Sequence, residues 1–181
     1  MDYWEKKSRG CSSSFPFDPK YMSLAKPHPI WWTAGSNPYE VSKALIQCRM
    51  LSGRYRTYQL TSHWLDSQSS QCPAPICQSS CETVEHILLH CPAYSLTRVN
   101  LLEKFKSAQN HSIQLLVTTA LTKPDSYMLQ FLLDASVLPE TQSLIRRFGD
   151  SILYQIFSLT RSWCYSIHRE RLKQINLPKK D

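Results

Sequence analysis

The sequence predicts an all-α domain of about six helices in an irregular bundle, preceded by an extended proline-rich amino-terminal arm. Three observations carry that expectation. Apolar residues recur every three or four positions in successive windows between residues 40 and 177, the pattern of helices that bury one face. No pair of alternating apolar runs suggests strands, and no repeat or low-complexity tract interrupts the chain. Residues 71–92 pack four cysteines and two histidines together, a density that fits one small structural zinc clasp better than a core.

Length and charge bound the rest. A chain of 181 residues is long enough for one domain with a sizeable core. Lys plus Arg number 21 against 14 Asp plus Glu, a net charge of +7 that is compatible with a polyanionic partner without requiring one. Seven cysteines form an odd count, and no apolar leader precedes them. The expectation is therefore reduced thiols in an intracellular compartment, cytoplasmic or nuclear. No run approaches the roughly twenty apolar residues of a membrane span.

Residues 1–39 mix charges and serines with Pro16, Pro19, Pro27, Pro29 and Pro38, and so read as an arm that is extended or partly disordered. Trp31 and Trp32 within it are expected to dock on the protein's own core, since burial rewards an indole without any partner. The helical domain then spans 40–177. Ser36 and Asn37 cap its first helix, on which Val41, Ala44, Leu45, Cys48 and Leu51 form the apolar stripe, and Gly53 ends it. A second helix is expected over 55–64. From Val41 to Trp64 the chain carries Lys43, Arg49, Arg54 and Arg56 and no acid.

Two ligand quartets are open in the cysteine-rich segment 72–91. One is Cys72, Cys77, His86 and Cys91, with four, eight and four residues between successive ligands; the other puts Cys81 in place of Cys72. Local structure favours the first. Thr83 can cap a short helix over 85–90, and Pro92 limits its continuation beyond Cys91, while Pro73 and Pro75 hold the first cysteine pair on a stiff turn. Asp66, Glu82 and Glu85 lie in a stretch with no Lys or Arg between Arg56 and Arg98. A segment without its own cations suits a clasp better than a phosphate-gripping finger.

Beyond Pro92 a helix through Leu96, Val99, Leu102 and Phe105 runs to about Ala108, followed by shorter ones over 113–121 and 126–133, the former apolar nearly all round. Pro139 opens the longest element, with Ile145, Phe148, Ile152, Ile156, Leu159, Trp163 and Ile167 at helical spacing and Gly149 weakening it locally. Toward its end Arg161, Arg169, Arg171, Lys173, Lys179 and Lys180 face only Glu170 and Asp181, and 178–181 form a basic tail. The helix dipole favours cations there, so part of this is capping chemistry. Trp163 falls on the apolar stripe and belongs to the core.

Catalytic constellations are missing from the pattern. No two acids are adjacent, Asp134 reads as a cap or ion-pair partner, and four glycines in all leave no phosphate-cradling loop. Cys164 and His168 stand at i,i+4 spacing, without any sign of an oxyanion pocket.

Cys-x4-Cys-x8-His-x4-Cys, with Glu-Thr-Val-Glu-His-Ile-Leu-Leu-His-Cys-Pro-Ala-Tyr as its second half, resembles the zinc-binding segment at the carboxyl end of non-LTR (LINE-type) retrotransposon reverse transcriptases. Met50-Leu-Ser-Gly-Arg-Tyr-Arg-Thr57, Phe131-Leu-Leu-Asp-Ala-Ser-Val-Leu-Pro-Glu140 and Thr160-Arg-Ser-Trp-Cys-Tyr-Ser-Ile-His-Arg-Glu-Arg-Leu172 resemble animal elements of that kind, so the likeness covers about residue 20 to the end. Many members space the first cysteine pair by two residues where this chain has four, which keeps Cys81 open as a ligand. The resemblance implies a non-catalytic carboxyl-terminal piece whose polymerase core lies upstream. Its task would be to hold RNA or DNA beside that upstream region. The residues offered for it are Lys43, Arg49, Arg54, Tyr55, Arg56, Arg161, Arg169, Arg171 and Lys173, with Tyr55 and Tyr58 as stacking rings. A structural or protein-docking domain, in which zinc only stabilises the fold, is the alternative. A continuous basic surface favours the first, an exposed apolar face the second.

Overall fold

His28 and Pro29 begin helical structure where the sequence suggested an arm. In the computed structural model, which describes residues 27–62, 70–77, 81–108 and 110–175, the His28 ring accepts a hydrogen bond from the Ile30 amide and Pro29 occupies the first helical position. The resulting turn, α1 (Pro29–Trp32), buries Ile30 completely, and Trp32 meets Tyr154 edge-on at 5.1 Å between ring centroids. Trp32 thus docks on the bundle as expected, while Trp31 stays partly exposed. Residues 27–39 therefore belong to the domain. The remainder of the expected arm, 1–26, and the basic tail, 178–181, lie outside the described residues.

Among the described residues six helices of ten or more residues follow, with one short α-helix among them. Asn37 caps α2 (Pro38–Leu51) by accepting from the Tyr39 and Glu40 amides, and Gly53, at φ 67°, supplies the left-handed stop. Next comes the short α3 (Tyr58–Ser62), begun by Thr57, whose hydroxyl accepts from the Leu60 amide. It starts later than the sequence suggested because Tyr55 lies in a bend, and the expected end at Trp64 lies outside the described residues. The others are α4 (Ser95–Lys106), α5 (His111–Thr122), α6 (Asp125–Asp134), α7 (Pro139–Phe148) and α8 (Ser151–Ile175). What the periodicity joined into one long helix is two, because Gly149 takes φ 71° and ends α7 outright. Among the described residues no strand forms; Gln71 and Cys81 make one isolated antiparallel bridge.

The 25-residue α8 is the axis of the bundle, packing against α2, α4, α6 and α7. Ile152, Ile156, Phe157, Trp163 and Ile167 are buried along it, and Phe105 packs between Trp163 (5.6 Å) and Phe131 (5.8 Å). Trp163 is core, as its place on the stripe required. Several other faces are rotated from the expected ones. On α2, Val41 and Leu45 are exposed while Lys43, Ala44, Ile46, Gln47, Met50 and Leu51 are buried. The cause is polar: Gln47 Nε2 donates to the Leu132 carbonyl at 2.7 Å and to Thr160 Oγ1 at 3.1 Å, and Lys43 reaches Glu40 at 2.7 Å. Those two bonds offset the burial of the Gln47 amide nitrogen, while its Oε1 is buried without a partner. Leu96 and Val99 of α4 and Leu115 and Leu121 of α5 likewise face outward.

A buried arginine with its acceptors and a histidine–carboxylate hydrogen bond tie the amino-terminal turn and α2 to the bundle. Arg161 on α8, almost fully buried, donates through Nε and Nη2 to Glu40 at 3.3 and 3.2 Å and through Nη1 and Nη2 to the Thr33 hydroxyl and carbonyl. A guanidinium suits that position because its fork serves several acceptors at fixed angles. Asp134 accepts from His28 Nε2 at 3.1 Å and from the Ser136 amide, so of the two roles the sequence suggested it fills the cap. Burial pushes the Asp134 carboxyl upward, but the hydrogen bond and charge of His28 and the Ser136 bonds outweigh it and hold the group below the usual aspartate range.

Candidate metal centre

The cysteine-rich segment folds as a turn, a return and one wide helical turn. Ala74 accepts from the Cys77 amide at 2.8 Å and closes the turn between the first two cysteines. The Gln71–Cys81 bridge and the Glu82 N–H to Ser70 C=O bond (2.9 Å) then bring the chain back alongside itself. Thr83 Oγ1 accepts from the His86 amide at 2.9 Å, the capping role its position predicts. His86–His90 form a single π-helical turn, closed by the Cys91 N–H to His86 C=O bond at 2.7 Å, and Pro92 starts a short 3-10 turn, Pro92–Tyr94. Such wide turns recur at functional sites because they redirect a side chain without ending the helix.

These pieces bring Cys72, Cys77, His86 and Cys91 together. Their ligand atoms all lie within 4.8 Å of one another, and all four residues are buried. Cys72 Sγ is 3.7 Å from Cys91 Sγ and Cys77 Sγ is 3.2 Å from His86 Nε2. A tetrahedral centre with metal–sulfur bonds of about 2.3 Å has sulfur–sulfur edges of about 3.8 Å and sulfur–nitrogen edges of about 3.6 Å, so the cluster has the size of one metal site. Of the two quartets, this is the one with Cys72. Cys81 is exposed, its backbone engaged in the bridge, and it stands outside the cluster. Cys81→Ser should accordingly leave metal affinity and thermal stability within experimental error, as metal titration and thermal unfolding of the variant will check.

Protonation fits metal loading. Burial lowers the His86 pKa and favours the neutral imidazole whose lone pair a metal needs. The contact between the Cys72 and Cys91 sulfurs, together with burial, pushes the Cys72 thiol up, and the same contact pulls Cys91 below the usual thiol range. Three thiolates on one cation require protons to leave, so binding is coupled to proton release. Arg98 supplies a neighbouring positive charge: its Nη2 donates to the Cys91 carbonyl at 2.7 Å. Three thiolates with a divalent cation leave one net negative charge, and a cation beside them is well placed.

Glu82 is the residue that sequence reasoning missed. It is fully buried, and its carboxylate accepts from Arg171 Nε (2.8 Å), from Arg171 Nη2 (2.7 Å) and from the Tyr58 amide (2.6 Å). The two-pronged Arg171 pair fastens the clasp to the end of α8. The only signal for it was the lack of any Lys or Arg between Arg56 and Arg98, which it shares with Asp66 and Glu85, so its pairing with Arg171 was not marked in the sequence.

The arginines and tyrosines proposed for nucleic acid divide into two groups. Arg49, Arg54 and Arg56 are exposed and, with Tyr55, Tyr58, His168 and Arg171, line a groove of about 640 Å³. Lys43 and Arg161 lie elsewhere, buried against Glu40, and Arg171 is already paired with Glu82. Their charges are spent internally. Tyr55 is also buried; its hydroxyl meets His168 Nδ1 at 2.8 Å, and burial pushes its pKa up to about 12. The half-buried Tyr58 is the better placed ring, with the Arg171 guanidinium 6.0 Å from its centroid. Arg169 lies at the surface of α8, as does Lys173, which pairs with Glu170 at 2.7 Å. Lys179 and Lys180 lie outside the described residues. Cys164 is fully buried, donates to the Leu132 carbonyl, and is pushed up to about 12 by burial; with His168 turned to Tyr55, the two make no dyad.

Fold and site together define an all-α domain with a buried Cys3His cluster that could hold a metal ion. Comparison with family models, curated proteins and solved structures finds no match to the chain. Among the described residues no helix is long and apolar enough to cross a membrane.

Proposed function

We propose that this chain is a zinc-clamped helical module that binds nucleic acid, RNA in particular, and performs no catalysis of its own. Zinc is the metal favoured by three sulfurs and one imidazole in a closed tetrahedron, an arrangement that leaves no open position for substrate. The observation that carries the binding role is the groove: three surface arginines, Arg49, Arg54 and Arg56, converge with Tyr58 and the paired Arg171 beside the clasp. Phosphates would sit on the arginines and a base on the Tyr58 ring. The resemblance of the clasp to the carboxyl-terminal zinc-binding segment of non-LTR retrotransposon reverse transcriptases supports the same reading. In an intact enzyme of that kind the module would stand beside the upstream polymerase region.

Affinity for a single-stranded oligoribonucleotide, measured against salt, tests this. Arg54→Ala with Arg56→Ala should weaken binding and make the slope of log K on log salt shallower by about 0.7–1 for each phosphate that the variant no longer neutralises. Unchanged slope and affinity would move the reading to the docking domain. That second reading has its own support in the outward-facing Leu96, Val99 and Leu121, the latter two on a separate cavity of about 340 Å³ with Leu89, Leu102 and Met128.

A further inference from the structure

Resting on the reading of the groove as a nucleic-acid surface, we infer that Glu82 makes metal binding and nucleic-acid binding reciprocal, each strengthening the other. Glu82 lies inside the metal segment, between the pair Cys72 and Cys77 and the pair His86 and Cys91, and its amide bonds to Ser70 at 2.9 Å. Its carboxylate ends in the groove wall: all three of its bonds go to Tyr58 and Arg171, which both line the groove. One side chain with no solvent exposure thus joins the two sites.

The physical consequence follows from what each site needs. With the metal in place, residues 72–91 are cross-linked and Glu82 is held where it meets Arg171 and the Tyr58 amide. Without it, the carboxylate loses its fixed position, Tyr58 its anchored backbone, and Arg171 its acceptor, so the groove must be ordered at the expense of ligand affinity. A ligand seated on Tyr58 and the surrounding arginines does the converse and pre-positions Glu82. Linkage requires the two effects to be equal in size. Arg171 acts here as a positioning residue, since its charge is taken by Glu82, and the phosphates meet Arg49, Arg54 and Arg56.

Zinc affinity of the full chain, measured by chelator competition with and without saturating oligo-uridine, reads the coupling directly. The expected result is zinc bound ~5-fold or more tightly in the presence of the oligonucleotide, within the usual range of coupling between two sites. In Glu82→Gln, and in Arg171→Lys, which keeps the cation but loses the fork, the ratio should fall toward one while zinc and oligonucleotide still bind separately. Glu40→Gln, which weakens the other buried arginine pair, should lower stability and leave the ratio intact. Absence of any oligonucleotide binding by the zinc-loaded protein would overturn the nucleic-acid reading itself. Binding with a ratio of one in the parent chain would overturn the coupling alone. So would a ratio that survives in Arg171→Lys, or that falls equally in Glu40→Gln.

Discussion

His86→Ala should leave a chain that holds no metal and whose cysteine-rich segment no longer folds, while the helical core around Phe105, Phe131 and Trp163 persists at reduced stability. A structural site contributes its binding free energy to the folding of the segment that it cross-links, and Phe105, Phe131 and Trp163 lie on helices that supply no ligand. Cys91→Ala should do the same. Both residues are buried in the cluster, and no other cysteine or histidine among the described residues stands close enough to replace them. Thermal unfolding followed by far-ultraviolet circular dichroism will show a lower midpoint for the purified variants with most of the helical signal retained at room temperature, and a strong chelator added to the parent protein will reproduce it. A variant as helical and as thermally stable as the parent would remove the metal from the folding account. Metal loading should also weaken as pH falls, because the cysteines must lose their protons to bind.

Glu82→Ala should be the most damaging change outside the ligands. It leaves Arg171 buried without its counter-charge and the Tyr58 amide without its acceptor. Removing one partner of a buried, two-pronged pair costs about 3–5 kcal/mol, mainly because the remaining charge is stranded. The double variant Glu82→Ala with Arg171→Met should recover part of that loss, since no charge is then left buried without a partner. Urea unfolding of the metal-loaded single and double variants measures both. Equal stability of Glu82→Ala and the parent would mean that the pair does not hold the clasp to α8.

The clasp was legible in the sequence because its chemistry is local: thiols and an imidazole within twenty residues, a threonine at the cap and prolines at the turn have few ways to fold. Helix positions were legible for the same reason, through Asn37, Gly53 and Pro139. Which face each helix buries was not. On α2 the inner face carries Lys43 and Gln47, polar residues whose partners come from α6 and α8 or, for Lys43, also from Glu40 on its own helix, so apolar spacing alone turned the helix by part of a revolution. Gly149 interrupts a periodicity that runs through it, and a pattern of apolar spacing does not record a change of backbone direction. The cations of α8 misled in another way. Arg161 and Arg171 look like surface charge in the linear sequence, yet each is buried by a carboxylate distant along the chain, Glu40 and Glu82. Arg49, Arg54 and Arg56 sit in a stretch, Val41 to Trp64, without an acid, and all three face solvent.

We propose that Cys72, Cys77, His86 and Cys91, which together could hold a metal ion, bind one in a tetrahedron. Cobalt(II) titration of the apo chain followed in the visible and near ultraviolet tests it most directly, because tetrahedral thiolate coordination gives intense bands that octahedral oxygen coordination does not. The expected result is saturation at one cobalt per chain with thiolate charge-transfer intensity, unchanged in Cys81→Ser, reduced in Cys72→Ser and displaced by one equivalent of zinc. Weak octahedral bands in the parent chain, or a spectrum that depends on Cys81 and not on Cys72, would contradict the assignment.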